Sequence, residues 1–334
     1  MGGGFGRRFG VPFDHQAIQI ARRIRRPVQL VWTREDDFMH DRYRPAGMHR
    51  LRAGIDNKGN LVSWTDRLAD TTIIGQGNPK EAQAFELGGA LDRPYPAQHF
   101  RMSYVPVDSG ATRGAWRGVE ISFNVFSVES FVDELAHLAG QDPYLYRRHL
   151  LENSAVHPPA RGSKFDGMRM IHMLDLATEK AGWGRSLGPH RGRGISCFFS
   201  KTSYLAQVAE VTVKGGGIHV DRVVTVVDPG TVINMKGIRA QIEGAVLMGL
   251  SAALKERITV KNGIIQQQNF NSYDLLRMPD APQLETYLVE GGRPPGGIGE
   301  PPLALIAPSV GNAIFAATGK RPRKLPFQLD EVSA

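Results

Sequence analysis

Pro294-Pro295-Gly296-Gly297-Ile298-Gly299-Glu300-Pro301-Pro302-Leu303 sets one carboxylate between glycines and prolines in an otherwise apolar stretch. Proline fixes φ and glycine admits close approach, so the backbone around Glu300 is stiff and leaves little room for water. A carboxylate confined in that way has its pKa raised toward neutrality, as a general base requires. The alternative is an ordinary salt-bridged glutamate. Downstream, the apolar run after Pro308 predicts a closing helix over about Ser309 to Thr318.

Three further stretches carry chemistry. Asp228-Pro229-Gly230-Thr231-Val232-Ile233-Asn234 ends a strand in a turn and leads to Gln241-Ile242-Glu243-Gly244, where amide and acid stand beside a glycine on a predicted helix. Gly110-Ala111-Thr112-Arg113-Gly114-Ala115-Trp116-Arg117-Gly118-Val119-Glu120 runs into another helix. It brings backbone amides, two arginines and a helix N-terminus to one place, as an anionic ligand needs, or else is a surface loop with paired arginines. Gly2-Gly3-Gly4-Phe5-Gly6 is either a flexible tail or a cradle whose amides approach an anion or flat cofactor. It lacks the GK[ST] ending of a P-loop and the third glycine of a dinucleotide fingerprint.

The intervening chain reads as mixed α and β. Helical spacing marks Pro12–Arg26, a helix around Val125, Val128, Phe131, Val132, Leu135 and Leu138 with Gly140 behind it, Pro143–Leu151, and one around Met170, Leu174, Ala177 and Ala181. A short strand is predicted at Gln29–Trp32, and a hairpin at His49–Ile55 and Leu61–Leu68. Strands Ile195–Ser200, Tyr204–Val213 and Ile218–Val227 precede a helix at Ile238–Leu254 and short strands near Ile258, Ile264 and Leu284. Residues 152–164 have the composition of a connector. Glycine and proline density near 184–194 places the main boundary there, between domains 1–183 and 184–334.

Composition narrows the classes. With 334 residues, 41% hydrophobic and 22% charged, the chain is globular. Cys197 is the single cysteine, which excludes an internal disulfide or a cysteine-ligated cluster within this chain. No uninterrupted apolar run approaches the ~20 residues of a transmembrane segment, and no export signal core follows Met1, so no compartment is assigned. The net charge of +8 is concentrated in N-terminal arginines without a basic stripe studded with aromatics. It is read as a solvated or partner-facing surface and not as a nucleic-acid face.

The order, identity and spacing of the four stretches resemble the large molybdenum-binding subunit of the xanthine oxidase/aldehyde oxidase family, on the branch of isoquinoline 1-oxidoreductase β subunits and related bacterial aldehyde dehydrogenases. GGGFGRR at 2–8, Gly114-Ala115-Trp116-Arg117 with the Ser130–Ala136 helix, Gln241-Ile242-Glu243-Gly244, Gly299-Glu300-Pro301-Pro302 and the Ala307–Lys320 helix carry it. It implies an α+β fold of two mixed lobes of the molybdenum-cofactor-binding type. It also implies a hydroxylase or dehydrogenase acting on an N-heteroaromatic or aldehyde with oxygen drawn from water. Glu300 would be the base. Gly3, Gly4, Phe5, Gly6, Arg117, Gln241 and Gly299 would contact a molybdopterin, in bacteria usually the cytosine dinucleotide, with no direct side-chain metal ligand. Trp116 and Glu120 would border the substrate. Electrons would pass to a separate small [2Fe-2S] subunit and onward to an acceptor such as a c-type cytochrome.

Family subunits are longer, and Met1 stands immediately before the glycine loop. The expectation is therefore the C-terminal half of a split or truncated subunit, whose N-terminal half is a further partner. The alternative is a non-catalytic remnant or assembly module that keeps the fold without cofactor. Val119-Glu120 departs from the Gly-Pro or Val-Gly of many relatives and puts a carboxylate at the pocket.

Overall fold

The computed structural model describes residues 3–9, 12–73, 85–152 and 165–328; the connector read at 152–164 lies outside them from residue 153 onward. In chain order the elements are α1 (Pro12–Ile24), α2 (Arg34–His40), β1 (Gly47–Ile55), β2 (Leu61–Asp70), β3 (His99–Pro106), α3 (Ile121–Leu138), α4 (Pro143–Glu152) and α5 (Gly167–Ala181). The second half supplies β4 (Arg191–Ser200), β5 (Ser203–Lys214), β6 (Gly217–Asp228), α6 (Met235–Leu254), β7 (Val260–Lys261), β8 (Ile264–Ile265), β9 (Gln283–Leu288) and α7 (Pro301–Thr318). The architecture is mixed α+β.

Local chemistry accounts for many boundaries. The Asp142 carboxylate accepts from the Tyr144 and Leu145 amides and opens α4. Asp166 caps α5 through the Arg169 amide, and Gly182 at φ 63° closes it. Three readings change. Gln29–Trp32 is not a strand; the chain there has no regular secondary structure and leads into α2, opened by a reciprocal capping box between Thr33 and Asp36. β3 went unread, although Phe100, Met102 and Tyr104 alternate with polar residues. The last helix starts at Pro301, not near Ser309, because Pro301 and Pro302 occupy first-turn positions where a missing N–H costs nothing. Pro308 lies inside it and forgoes the bond to the Ala304 carbonyl.

Two sheets organise the fold. In the first, β1 and β2 form an antiparallel hairpin and β3 joins β2 in parallel. In the second, β4, β5 and β6 are antiparallel neighbours and β9 lies parallel to β6. Both faces of this second sheet are covered, so β5 is buried almost throughout and reads as a near-continuous apolar strand. Cys197, Tyr204, Ala206 and Val226 pack toward α5, in a cluster that includes Trp64, Val132 and Met170. Phe198, Leu205, Val223 and Val227 pack with Leu250 of α6 and Ala304, Ile306 and Val310 of α7. By composition α7 is apolar enough to cross a membrane, but 78% of it is buried inside the fold and it serves as a core helix.

The approach of α7 to β4 depends on two glycines. A Cβ on Gly192 would overlap the Ala313 carbonyl, and one on Gly194 would overlap the Ser309 carbonyl and the Ala313 amide. Backbone cannot yield as a flexible side chain can. Gly194→Ala is therefore expected to lower stability by about 1–3 kcal/mol, seen as a lower denaturant midpoint at unchanged slope. A wild-type midpoint would show that strand and helix part freely.

Candidate active site

Glu300 is the residue immediately before α7, so its carboxylate sits at the positive end of that helix dipole. Its Oε1 accepts the Gly118 amide at 3.1 Å, and its Oε2 is ion-paired with the Lys201 ammonium. Half-burial pushes the Glu300 pKa up, but the Lys201 hydrogen bond, the Gly118 amide and the charges of Lys201 and Arg117 outweigh it. The net shift is below the ordinary glutamate value. Confinement alone predicted a raised pKa; the cations that converge on the carboxylate reverse the sign.

Arg117 joins three of the four stretches. Its Nε donates to the Gly299 carbonyl at 2.6 Å, and its Nη2 donates to the Gln241 carbonyl at 2.9 Å and to Gln241 Oε1 at 3.0 Å. Burial lowers the Arg117 pKa, and Glu300 opposes that shift. The loop bearing Arg117 turns through Gly118 at φ 88° and Val119 at φ 40°. A β-branched residue in that region stores on the order of 1–3 kcal/mol of strain. The turn aims the Gly118 amide at Glu300 and delivers the chain into α3.

The fourth stretch packs on the same loop. A Cβ on Gly6 would overlap the Ala115 carbonyl, so the glycine at this position is what lets the 3–6 segment lie against residues 115–116. Gly3, Gly4 and Gly6 are partly buried there and Phe5 is exposed. The 228–234 turn contributes from the other side: Thr231 donates its amide to the Arg293 carbonyl at 2.8 Å, and Gly230 leaves room for the Pro294 carbonyl. All four stretches therefore meet, although up to 182 residues separate the partners in sequence.

Trp116 and Glu120 diverge from that centre. Trp116 lies under the Arg44 guanidinium, 4.6 Å from Cζ to the ring centroid, and lines a cavity of about 910 Å³. Arg42, Arg44, His49, Phe126 and Tyr273 also line this cavity, whereas Glu300, Gln241 and Lys201 do not. Burial lowers the Arg44 pKa to about 10. The Glu120 carboxylate packs beside Gly88, in space that a Cβ there would fill. Volume and chemistry thus lie on different sides of Trp116. The residues assembled around Glu300, not the larger cavity, carry the convergent polar groups. Cys197 is buried with its thiol against the Tyr95 hydroxyl at 3.2 Å, and burial pushes its pKa up, so it is inert.

Lys201 was missed by sequence reasoning. It occupies a two-residue hairpin, Lys201-Thr202, that lacks the glycine or asparagine such turns favour.

Two family models, both described as molybdopterin cofactor-binding domain, match residues 1–151 and 168–282. The chain is 30% identical over 356 residues to a protein of Gluconacetobacter polyoxogenes named membrane-bound aldehyde dehydrogenase (pyrroloquinoline-quinone), covering 99% of this chain and 46% of that protein. It is 29% identical over 342 residues to the isoquinoline 1-oxidoreductase subunit beta of Brevundimonas diminuta, covering 98% of this chain and 42% of that one. Its fold superposes on quinoline 2-oxidoreductase from Pseudomonas putida 86 with a TM-score of 0.83 at 12% identity, over 99% of this chain and 67% of that chain. The chain spans less than half the length of the two curated relatives named here. It belongs to the molybdopterin cofactor-binding subunits of the xanthine oxidase/aldehyde oxidase family.

Proposed function

We propose that this chain, with lobes at 1–183 and 184–334, is the Glu300-bearing part of a molybdenum hydroxylase or dehydrogenase that oxidises an aldehyde or N-heteroaromatic substrate with water-derived oxygen. Convergence of Arg117, Gln241, Gly299 and Glu300 on one point carries the reading. The residues present fit the cofactor. Among the described residues, Arg117 Nη1 and Gln241 Nε2 have no protein acceptor, so a guanidinium and an amide donor remain free at the site. Such donors suit an anionic pterin dithiolene and its phosphates.

When bound, the molybdenum centre supplies the two-electron redox chemistry. The chain's own residues do the rest. Gly3, Gly4, Phe5 and Gly6 offer backbone contacts, while Arg117 and Gln241 orient the cofactor by hydrogen bonding. Glu300, ionised and held at both oxygens, keeps spare lone pairs with which to take a proton from the attacking oxygen nucleophile. Trp116, adjacent to Arg117 in the chain, would border the approach of substrate from the cavity it lines, whereas Glu120, turned toward Gly88, would not. The cofactor is the cytosine dinucleotide form, and electrons leave through a separate [2Fe-2S] subunit toward an acceptor such as a c-type cytochrome. The names of the relatives, an aldehyde dehydrogenase and an isoquinoline oxidoreductase, support the substrate classes.

Arg117→Ala tests the cofactor contact. Loss of a charged hydrogen-bond donor costs about 1.5–3 kcal/mol, so the assembled complex is expected to retain roughly one tenth or less of the wild-type molybdenum and pterin after dialysis. Full retention would remove Arg117 from the cofactor site.

A further inference from the structure

We infer that Lys201 is a positioning residue for Glu300, holding the carboxylate ionised and oriented from a strained hairpin that the Pro294–Gly297 loop clamps. The inference rests on the reading of Glu300 as the base, and it assigns a role to a residue outside the family motifs quoted above.

The geometry begins in the backbone. Lys201 and Thr202 form the two-residue turn between β4 and β5, with Ser200 and Ser203 paired across its base. Both stand at positive φ, 51° and 65°. Neither residue type favours that region, and threonine, being β-branched, favours it least. The neighbouring loop supplies the constraint. Gly297 donates its amide to the Lys201 carbonyl at 2.8 Å, and the Thr202 hydroxyl donates to the same oxygen at 2.7 Å.

Two glycines make room for this contact. A Cβ on Gly296 would stand 2.6 Å from the Ser203 hydroxyl and 2.8 Å from that of Thr202. A Cβ on Gly297 would stand 2.8 Å from the Lys201 Cβ and 3.0 Å from its Cδ. The lysine stem therefore runs across the bare face of Gly297 to reach Glu300, three residues further along the same loop. The loop that carries Glu300 thus also shapes the turn that carries its partner.

Strain kept at a site where the surrounding structure over-determines it points to a use. The charged groups that face Glu300 are Lys201 from the β4–β5 turn and Arg117 from the loop before α3. Arg117 is committed to Gly299 and Gln241 through its Nε and Nη2, whereas Lys201 reaches the carboxylate directly. The lysine side chain is 54% exposed, so it is free to shift when ligand fills the site, and its hold on Glu300 weakens as salt rises.

The test is the titration of the Glu300 carboxyl itself, followed by carbon NMR in glutamate-labelled protein purified with whatever chains accompany it. The signal is assigned by its loss in Glu300→Gln. Lys201→Met is expected to raise the titration midpoint by about one pH unit at low salt, with a smaller shift at high salt, while Lys201→Arg keeps the wild-type midpoint. In the assembled enzyme the acid limb of the kcat profile should move the same way, because a base with a higher pKa loses its charge at higher pH. An unchanged midpoint in Lys201→Met overturns the inference, whatever the turnover. If the midpoint moves but Glu300→Gln keeps full turnover, the positioning contact stands and Glu300 is not the base.

Discussion

Glu300→Gln is expected to lower turnover of the assembled enzyme by about 10²- to 10⁴-fold, the range for loss of a positioned general base, without changing its molybdenum or pterin content. The amide has the shape of the carboxylate and keeps one oxygen, which can accept from either the Gly118 amide or the Lys201 ammonium but not stand in for both carboxylate oxygens. The contacts proposed for the cofactor come from Arg117 and Gln241, which the substitution leaves in place. What disappears is the basic lone pair. Kinetics normalised to metal content read the effect, and turnover within a few-fold of wild type would remove Glu300 from the base role.

Glu129→Ala is expected to cost about 3–5 kcal/mol, because it leaves a buried arginine without its main partner. Glu129 on α3 accepts from Arg147 Nε at 3.0 Å, from the Tyr95 hydroxyl at 2.7 Å and from the Cys197 amide at 3.1 Å. Both charged side chains are essentially inaccessible, at 0% and 1% exposure. Burial pulls the Arg147 pKa down, but Glu129, Tyr95 and Asp133 together hold it above the ordinary value. Asp133 cannot take over, since it lies 3.6 Å from Arg147 and already pairs with Arg321 at 2.6 Å. Arg321 in turn holds Asn312 of α7, so the network ties α3 and α4 to the helix that follows Glu300. Against a total stability of about 5–15 kcal/mol, the loss is large. Chemical denaturation reads it. Replacing Glu129 and Arg147 together by apolar residues of similar volume should recover most of it, and a wild-type midpoint for Glu129→Ala would contradict the account.

Much of the fold was legible because its signals are local. Asp142-Pro143, Gly140 and Gly182 mark helix ends by cap chemistry, and the Lys214–Gly217 turn separates two strands. β3 escaped because a parallel strand has no adjoining turn to announce it, and 28 residues separate the end of its partner β2 from its own start. The start of α7 was misplaced because Pro308 and Pro301 carry the same start signal, and only burial of the whole helix decides between them.

The site divides along the same line. The order of the motifs identified Arg117, Gln241, Gly299 and Glu300, and the structure brings them together. The sign of the Glu300 shift and the role of Lys201 were beyond reach. They depend on a contact across 99 residues, made by a turn whose residues carry no turn signal.

The central claim is that this chain helps hold a molybdopterin beside an ionised Glu300. Molybdenum and pterin assayed on the chain purified with its natural partner chains test it most directly. Stoichiometric amounts of both, lowered by Arg117→Ala and retained in Glu300→Gln, are the predicted result. A folded, fully assembled complex that contains neither would contradict the account and leave a scaffold that has kept its shape without its cofactor.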